Sequence, residues 1–442
     1  VNPRARRWGA GFGAAALLLS LAAVAQGGKG DTILISRSGD GSEGASGSSS
    51  EPAISASGRF VAFTSQGSNL NGPDDLGASD VYVYDAKRRR MELISRRSNG
   101  GPGGDDDSGV PSISASGRFV AFESAATNLV GAAQAGGDVY VYDRKRDRVE
   151  LVSRRSKRGP AGDGRSFDPS ISANGRFVAF ESEAENLSAA DDPDAGVIDV
   201  FVYDRKRDRV ELISRRSNKG PGGDEDSRYA AIAAGGRFVA FQSAAENLSG
   251  ADAAFMDTFV YDRERDRVEL VSRESNGGPG ADDQSQGGTE ISGSGRFVTF
   301  FSSATNLSGA DDIYRDSFVY DRKADRVELI SRESGNGPGG DFPSEYMDIS
   351  DSGRYVAFNS SARNFSDDDG DLVSDIFVYD RKRDVVTLAS REQNNGPGAD
   401  DSSNNPSISA DGRFVAFWSQ ADNLPGNYFD TQNIFRYDYL GR

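Results

Sequence analysis

The stretch SISASGRFVAFES at residues 112–124 decides the fold, because near-copies of it return along the whole chain. Its kernel, G-R-[FY]-V-[AT]-F, begins at Gly58, Gly117, Gly175, Gly236, Gly295, Gly353 and Gly412, a repeat of 58 to 61 residues. Self-similarity of that order marks an array of equal structural units. Each unit divides into four strand signals, A to D. In the second unit, strand A is PSIS (111–114), followed by an ASG turn whose glycine supplies a positive φ. Strand B is RFVAFES (118–124), with alternating β-branched and aromatic residues. A polar loop leads to strand C, DVYVYD (138–143), and the charged turn RKRD (144–147) leads to strand D, RVELVSR (148–154).

Isolated hairpin units would leave edges open and apolar faces wet, whereas closing the ring buries both faces of every unit. The ends fit closure. The seventh unit stops after strand C, at NIFRYDYLGR (433–442), while a strand D pattern, DTILISRS (31–38), precedes the first unit. The expected fold is therefore all-β, a seven-bladed β-propeller with four antiparallel strands per blade. The N-terminal strand is expected to complete the last blade. The blades fall at about 51–97, 110–155, 168–215, 229–273, 288–332, 346–391 and 405–442, in one domain over 26–442. The repeat PSISASGRFVAF…DVYVYD resembles that of the TolB-like (WD-repeat-like) bacterial β-propeller family, over residues 31–442. The resemblance implies a partner-binding scaffold, an enzyme accessory domain or, in some relatives, a lyase. The α/β domain that TolB carries beside its propeller has no counterpart here. The chain also lacks the histidines that metal-dependent propeller lyases use, so no catalytic residue carries over.

The 442 residues include no Cys and no His, which excludes disulfides, thiolate or imidazole metal sites, and His-based catalysis. Arg4, Arg6 and Arg7 precede an apolar run from Trp8 to Val24, and Ala23-Val24-Ala25 fits a cleavage site. Residues 1–25 read as a signal peptide, placing the mature protein in the periplasm or outside the cell. A formal charge of −17 argues against nucleic acid and anionic membranes as partners.

Loops alternate between the two ends of a four-stranded blade. The short A–B and C–D turns are rich in Arg and Lys, as in AKRRR (86–90) and DRKRDR (143–148). The long D–A and B–C loops are acidic, as in GPGGDDDS (101–108) and SDDDGDLVSD (366–375). Closely spaced Asp with glycine bends can supply the oxygens that calcium needs. The best candidate set is Asp367, Asp368, Asp369, Asp371 and Asp375. The Asp that opens strand C (Asp80, Asp138, Asp199, Asp257, Asp316, Asp375) recurs in six units with Asn433 in the seventh, as a structural residue would. The recurring Asn after strand B reads as a turn former. In strand A the residue before Ile is Ala53, Ser112, Ser170, Ala231, Glu290, Asp348 or Ser407. Glu290 and Asp348 break the run of small residues in adjacent blades, which makes them channel candidates for cation binding, ion pairing or acid–base work. The functional expectation is a secreted, non-enzymatic binding or assembly module with a protein partner or head-to-tail self-association. The alternative is a carboxylate-based polysaccharide hydrolase or lyase, or a glycan-binding lectin, at the channel.

Overall fold

A computed structural model of the chain describes residues 30–39, 41, 43–70, 77–131, 136–188, 196–249, 255–308, 314–369, 372–426 and 431–441. The expected signal peptide and Asp371 lie outside them. No helix among the described residues is long and apolar enough to cross a membrane.

Strand β1 (Thr32–Leu34) is followed by the first blade, β2 (Ser49–Ile54), β3 (Phe60–Ser65), β4 (Asp80–Asp85) and β5 (Arg90–Leu93). Strands β6 to β25 repeat this pattern five times between Ser108 and Leu388, and β26 (Ser403–Ile408), β27 (Phe414–Ser419) and β28 (Asn433–Asp438) end the chain. They form seven four-stranded antiparallel sheets, each in the order A-B-C-D, and the last is β1-β28-β27-β26. Thr32 pairs with Tyr437 and Leu34 with Phe435, so the N-terminal strand completes the seventh blade and closes the ring. Strand D is shorter than its sequence pattern. It ends at Leu93 or Leu151, because the backbone then turns so that Arg96 and Arg154 bridge to Gly103 and Ala161 of the D–A loop.

The core lies between blades. Every residue of the DVYVYD strands is buried. One cluster joins Val81, Val83 and Ile94 of the first blade to Val120, Phe122, Tyr140 and Tyr142 of the second. Phe122 and Tyr140 stack at 5.7 Å between ring centres. Each such side chain withdrawn from water contributes about 1.5–3 kcal/mol, which is why the alternation survives in every repeat.

The turns couple neighbouring blades. Gly117, at φ +70°, packs so closely on Phe60 of the preceding blade that an added Cβ would lie 2.1 Å from its ring. Arg118 donates two hydrogen bonds to Asp143 at the end of strand C, at 2.8 and 2.6 Å. Phe119 lies between Arg118 and Arg205 of the next blade, both guanidinium carbons 4.5 Å from the ring centre. The Arg–Asp fork recurs in all seven blades. The A–B arginines are therefore neutralised locally, and the positive character of the short-turn face rests on its C–D turns.

The D–A segment latches onto the next blade. Val149, Val210, Val268, Val327 and Val386 each donate an outer-strand N–H to the hydroxyl of Ser98, Ser156, Ser217, Ser275 and Ser334, all at 3.0 Å. An outer strand would otherwise present open hydrogen-bonding groups to solvent or to another chain. The Asn after strand B holds the same segment, as Asn128 Nδ2 does by donating to the Gly103 carbonyl at 3.2 Å. Its task is a tertiary tie rather than the local turn that the sequence suggests.

Candidate functional site at the channel mouth

Strand A of all seven blades lines a central channel with a cavity of about 500 Å³. Glu290 and Asp348 both face it, half-buried. Asp348 Oδ2 accepts from Ile408 N at 2.7 Å and Ser407 Oγ at 3.1 Å. Elsewhere a serine does this job: Ser112, Ser170 and Ser407 accept from the corresponding Ile N–H of the next blade, at 3.0, 3.1 and 3.2 Å. Asp348 thus replaces serine as an inter-blade link. Burial raises its carboxyl to about 6 despite these donors. Burial also holds Glu290 well above the usual carboxylate range, and the charge of Asp348 adds to the shift. The two carboxyls are close enough to interact, and neither has an Arg or Lys ion pair among the described residues.

A second tier, which sequence reasoning missed, lies two residues earlier on strand A. Six blades place a non-glycine residue in the left-handed region there: Glu51 (φ 54°), Val110 (46°), Asp168 (47°), Tyr229 (56°), Tyr346 (41°) and Asn405 (50°). The seventh blade has Gly288 at φ 136°. In those six blades the A–B register shifts at this point, for example between Gly109 and Ser112, which identifies a bulge. All seven residues line the channel. Positive φ is costly for β-branched and aromatic residues, and such strain persists only where the surroundings enforce it.

Side chains from the preceding blade hold three of the bulges and the matching segment of the fifth blade. Glu51 Oε2 accepts from Val110 N at 2.8 Å, and Glu123 Oε2 accepts from Asp168 N at 3.2 Å. Glu181 Oε1 accepts from Tyr229 N at 2.5 Å, and Gln242 Oε1 from Gly287 N at 2.8 Å. Glu51, Glu123, Asp168 and Glu181 thereby gather on one side of the mouth. Burial raises Glu181 to about 8, helped by the charge of Asp168. Burial likewise raises Asp168, with Glu51 adding to it, and Glu123, with Asp168 adding to it. Arg165 lies 3.7 Å from Glu123 at the rim. Farther round the mouth, Tyr229 and Tyr346 are 37% and 48% exposed. In the sequence this column reads Glu, Val, Asp, Tyr, Gly, Tyr, Asn, but the column before it (Ser50, Gly109, Phe167, Arg228, Gly287, Glu345, Asn404) varies as much, so nothing there singles it out.

Of the acidic loop at 366–375 all but residues 370 and 371 are described. Asp368 pairs with Arg391 at 3.0 Å, and Asp375 accepts from Ser390 Oγ at 2.5 Å. The other strand-opening Asp residues make the same bond, as Asp138 does to Ser153 at 2.7 Å. Asp367 is exposed and Asp369 buried. Among the described residues no three carboxylates converge into a metal-binding group.

Comparison with solved structures shows the same fold. The beta-propeller domain of the Trilobed protease from Pyrococcus furiosus, described as having an open velcro topology, is 13% identical, with 90% of this chain and 95% of that one covered and a TM-score of 0.53. The present ring differs in that β1 closes the last sheet. An oligogalacturonate lyase in complex with manganese is 10% identical over 93% of this chain and 98% of that one, also with a TM-score of 0.53. A putative TolB from Agrobacterium tumefaciens is 14% identical over 81% and 97%, with a TM-score of 0.41. No curated protein matches the chain. The repeat, the closed seven-bladed ring and a match over residues 54–442 together make the chain a member of the family of unknown function DUF7453.

Proposed function

We propose that the protein is a secreted binding module whose channel mouth, on the acidic long-loop face, takes a basic segment of a partner protein. One observation carries this reading: six bulges of common geometry present five different residue types, on a scaffold whose strands otherwise repeat. The bulge recurs in six blades whatever residue it carries, so the backbone does not require Glu, Asp and Tyr there. The carboxylates on one side suit ammonium or guanidinium groups, and the exposed Tyr229 and Tyr346 suit their alkyl stems and cation–π contact. Another copy offers such a surface in its Arg- and Lys-rich C–D turns, so head-to-tail association belongs to the same reading.

The test is titration of oligolysine and oligoarginine peptides at low and physiological salt, with sedimentation of the protein alone. Binding that weakens with salt and is lost in Asp168→Asn and Tyr346→Ala supports the reading. Salt-insensitive monomers that bind no basic peptide refute it. A glycan panel with Glu290→Gln tests the hydrolase, lyase or lectin alternative, and calorimetry with calcium tests the loop at 366–375.

A further inference from the structure

Five of the seven junctions between blades are closed by the same four-charge clasp. At the first, Arg144 pairs with Glu92 of the preceding blade at 2.7 Å, and Arg96 pairs with Asp147 at 3.2 Å. Arg205–Glu150 with Arg154–Asp208, Arg263–Glu211 with Arg215–Asp266, Arg322–Glu269 with Arg273–Asp325, and Arg381–Glu328 with Arg332–Asp384 repeat it. Each clasp balances two cations with two anions.

The junction that closes the ring, between the seventh and first blades, loses both anions. Ile33 stands where the clasp has Glu, since it pairs with Arg436 as Glu92 pairs with Val83. Arg89 stands where it has Asp, in the same left-handed region, at φ 54° against 50° for Asp147. Ala86 replaces the clasp arginine, but Arg436 restores that guanidinium from a different strand. It stacks on Phe414 at 4.4 Å and donates to the Gly58 carbonyl at 2.6 Å, much as Arg144 stacks on Phe60 at 4.5 Å and donates to Gly117 at 2.6 Å. Arg436 has no carboxylate within ion-pairing distance among the described residues, and burial depresses its guanidinium to about 10. Arg37, the counterpart of Arg96, makes no ion pair among them either, and its Nε is buried with no hydrogen-bond partner.

A cavity of about 710 Å³ opens at this junction, on the face of the short turns. Arg37, Arg59, Lys87, Arg89, Arg413 and Arg436 line it, and no Asp or Glu is among its described lining residues. Arg59 and Arg413 are held by Asp85 and Asp438. Lys87 and Arg89 are exposed and Arg37 and Arg436 half-buried, and removing the anions beside half-buried guanidinium groups is costly unless another anion enters. Planar guanidinium groups bind oxyanions through paired N–H donors, and the volume suits a small molecule.

We infer that this cavity binds a small oxyanion-bearing molecule, with a carboxylate, phosphate or sulfate group taking the place of the missing Glu and Asp. The site lies on the opposite face from the channel mouth and is independent of the function proposed there. Carboxylates of a second copy's acidic loops share this chemistry, so the experiment separates the two sources. The full chain is titrated with sulfate, phosphate and citrate at constant ionic strength, followed by calorimetry and by thermal unfolding at several protein concentrations. Two variants accompany it: Arg37→Gln, and the combination Ile33→Glu, Ala86→Arg, Arg89→Asp and Arg436→Val, which writes the clasp of the other junctions into this one. The expected result is saturable binding with a rise in melting temperature, and affinity at least ~10-fold weaker in both variants, the loss of one good charge-assisted contact. The clasp-restored protein is expected to melt no lower than the parent. No saturable binding in the parent, or equal affinity in the clasp-restored variant, overturns the inference. Stabilisation that follows protein concentration and ignores added anion assigns the cavity to a second copy and also overturns it.

Discussion

Replacing Gly117 with alanine separates two costs that the repeat imposes together. At φ +70° an L-residue loses about 1–2 kcal/mol to its own backbone. The new methyl would also sit 2.1 Å from Phe60 Cδ2, in a contact fixed on both sides by Arg59 and Arg144 at 4.6 and 4.5 Å from that ring. Overpacking of this kind costs about 1–3 kcal/mol, for a total of roughly 2–5 kcal/mol. Gly335 is the control. Its φ is +74°, nothing lies within 4 Å of an added Cβ, and the equivalent position in the second blade holds Lys157 at φ 60°. Gly335→Ala should therefore cost only about 1 kcal/mol. For a ring of roughly 410 residues, unfolding entropy near 2.1 cal/mol/K per residue gives about 1 °C per kcal/mol. Scanning calorimetry should show a fall of about 1 °C for Gly335→Ala and roughly 2–5 °C for Gly117→Ala. Equal shifts would refute the claim that this glycine is required by contact between blades rather than by its turn.

Three further outcomes follow from the described contacts. Glu181 titrates near 8 in the folded protein against 4.5 as a free carboxyl, so the folded state holds an extra proton between those values and stability falls as pH rises across them. Denaturant titrations from pH 5 to 8 should show a smaller decline in Glu181→Gln. Asp348→Ser should leave the melting temperature within about 1 °C at pH 5, because serine makes this link in three other blades. It should stabilise the protein at pH 8, where the buried carboxylate must ionise, and a large loss at either pH would contradict the linking role. Arg144→Met should cost about 1–2 kcal/mol by denaturant midpoint, since it removes a stacking cation and a partly exposed ion pair.

The fold was legible because its signals are local and repeated. Alternation in RFVAFES and DVYVYD, the positive-φ glycine of the A–B turn and the strand D pattern at 31–38 each need only a few residues. The features that were not legible depend on partners distant in the chain. The A–B arginines look like a basic face until Asp143, 25 residues after Arg118, is found in the same turn layer. The recurring Asn reads as a turn former until its partner on the D–A loop is seen. The bulge ring is invisible because no residue type announces positive φ when Val, Tyr, Asp and Asn all adopt it. Glu290 and Asp348 do share the channel, but the more varied tier lies outside them. Arg436 looks like an irregular strand residue until Ala86, 350 positions earlier, explains it.

The D–A latch gives the ring a direction. Each segment fastens only the blade that follows it, so cutting one frees the outer strand ahead and leaves the blade behind untouched. Loosening should therefore travel one way round, like a zip with a single slider. The first blade is where such travel begins most easily, because Gly39 occupies the latch position and has no hydroxyl to offer Met91. A protease that nicks the ring reports this polarity in the order of its fragments.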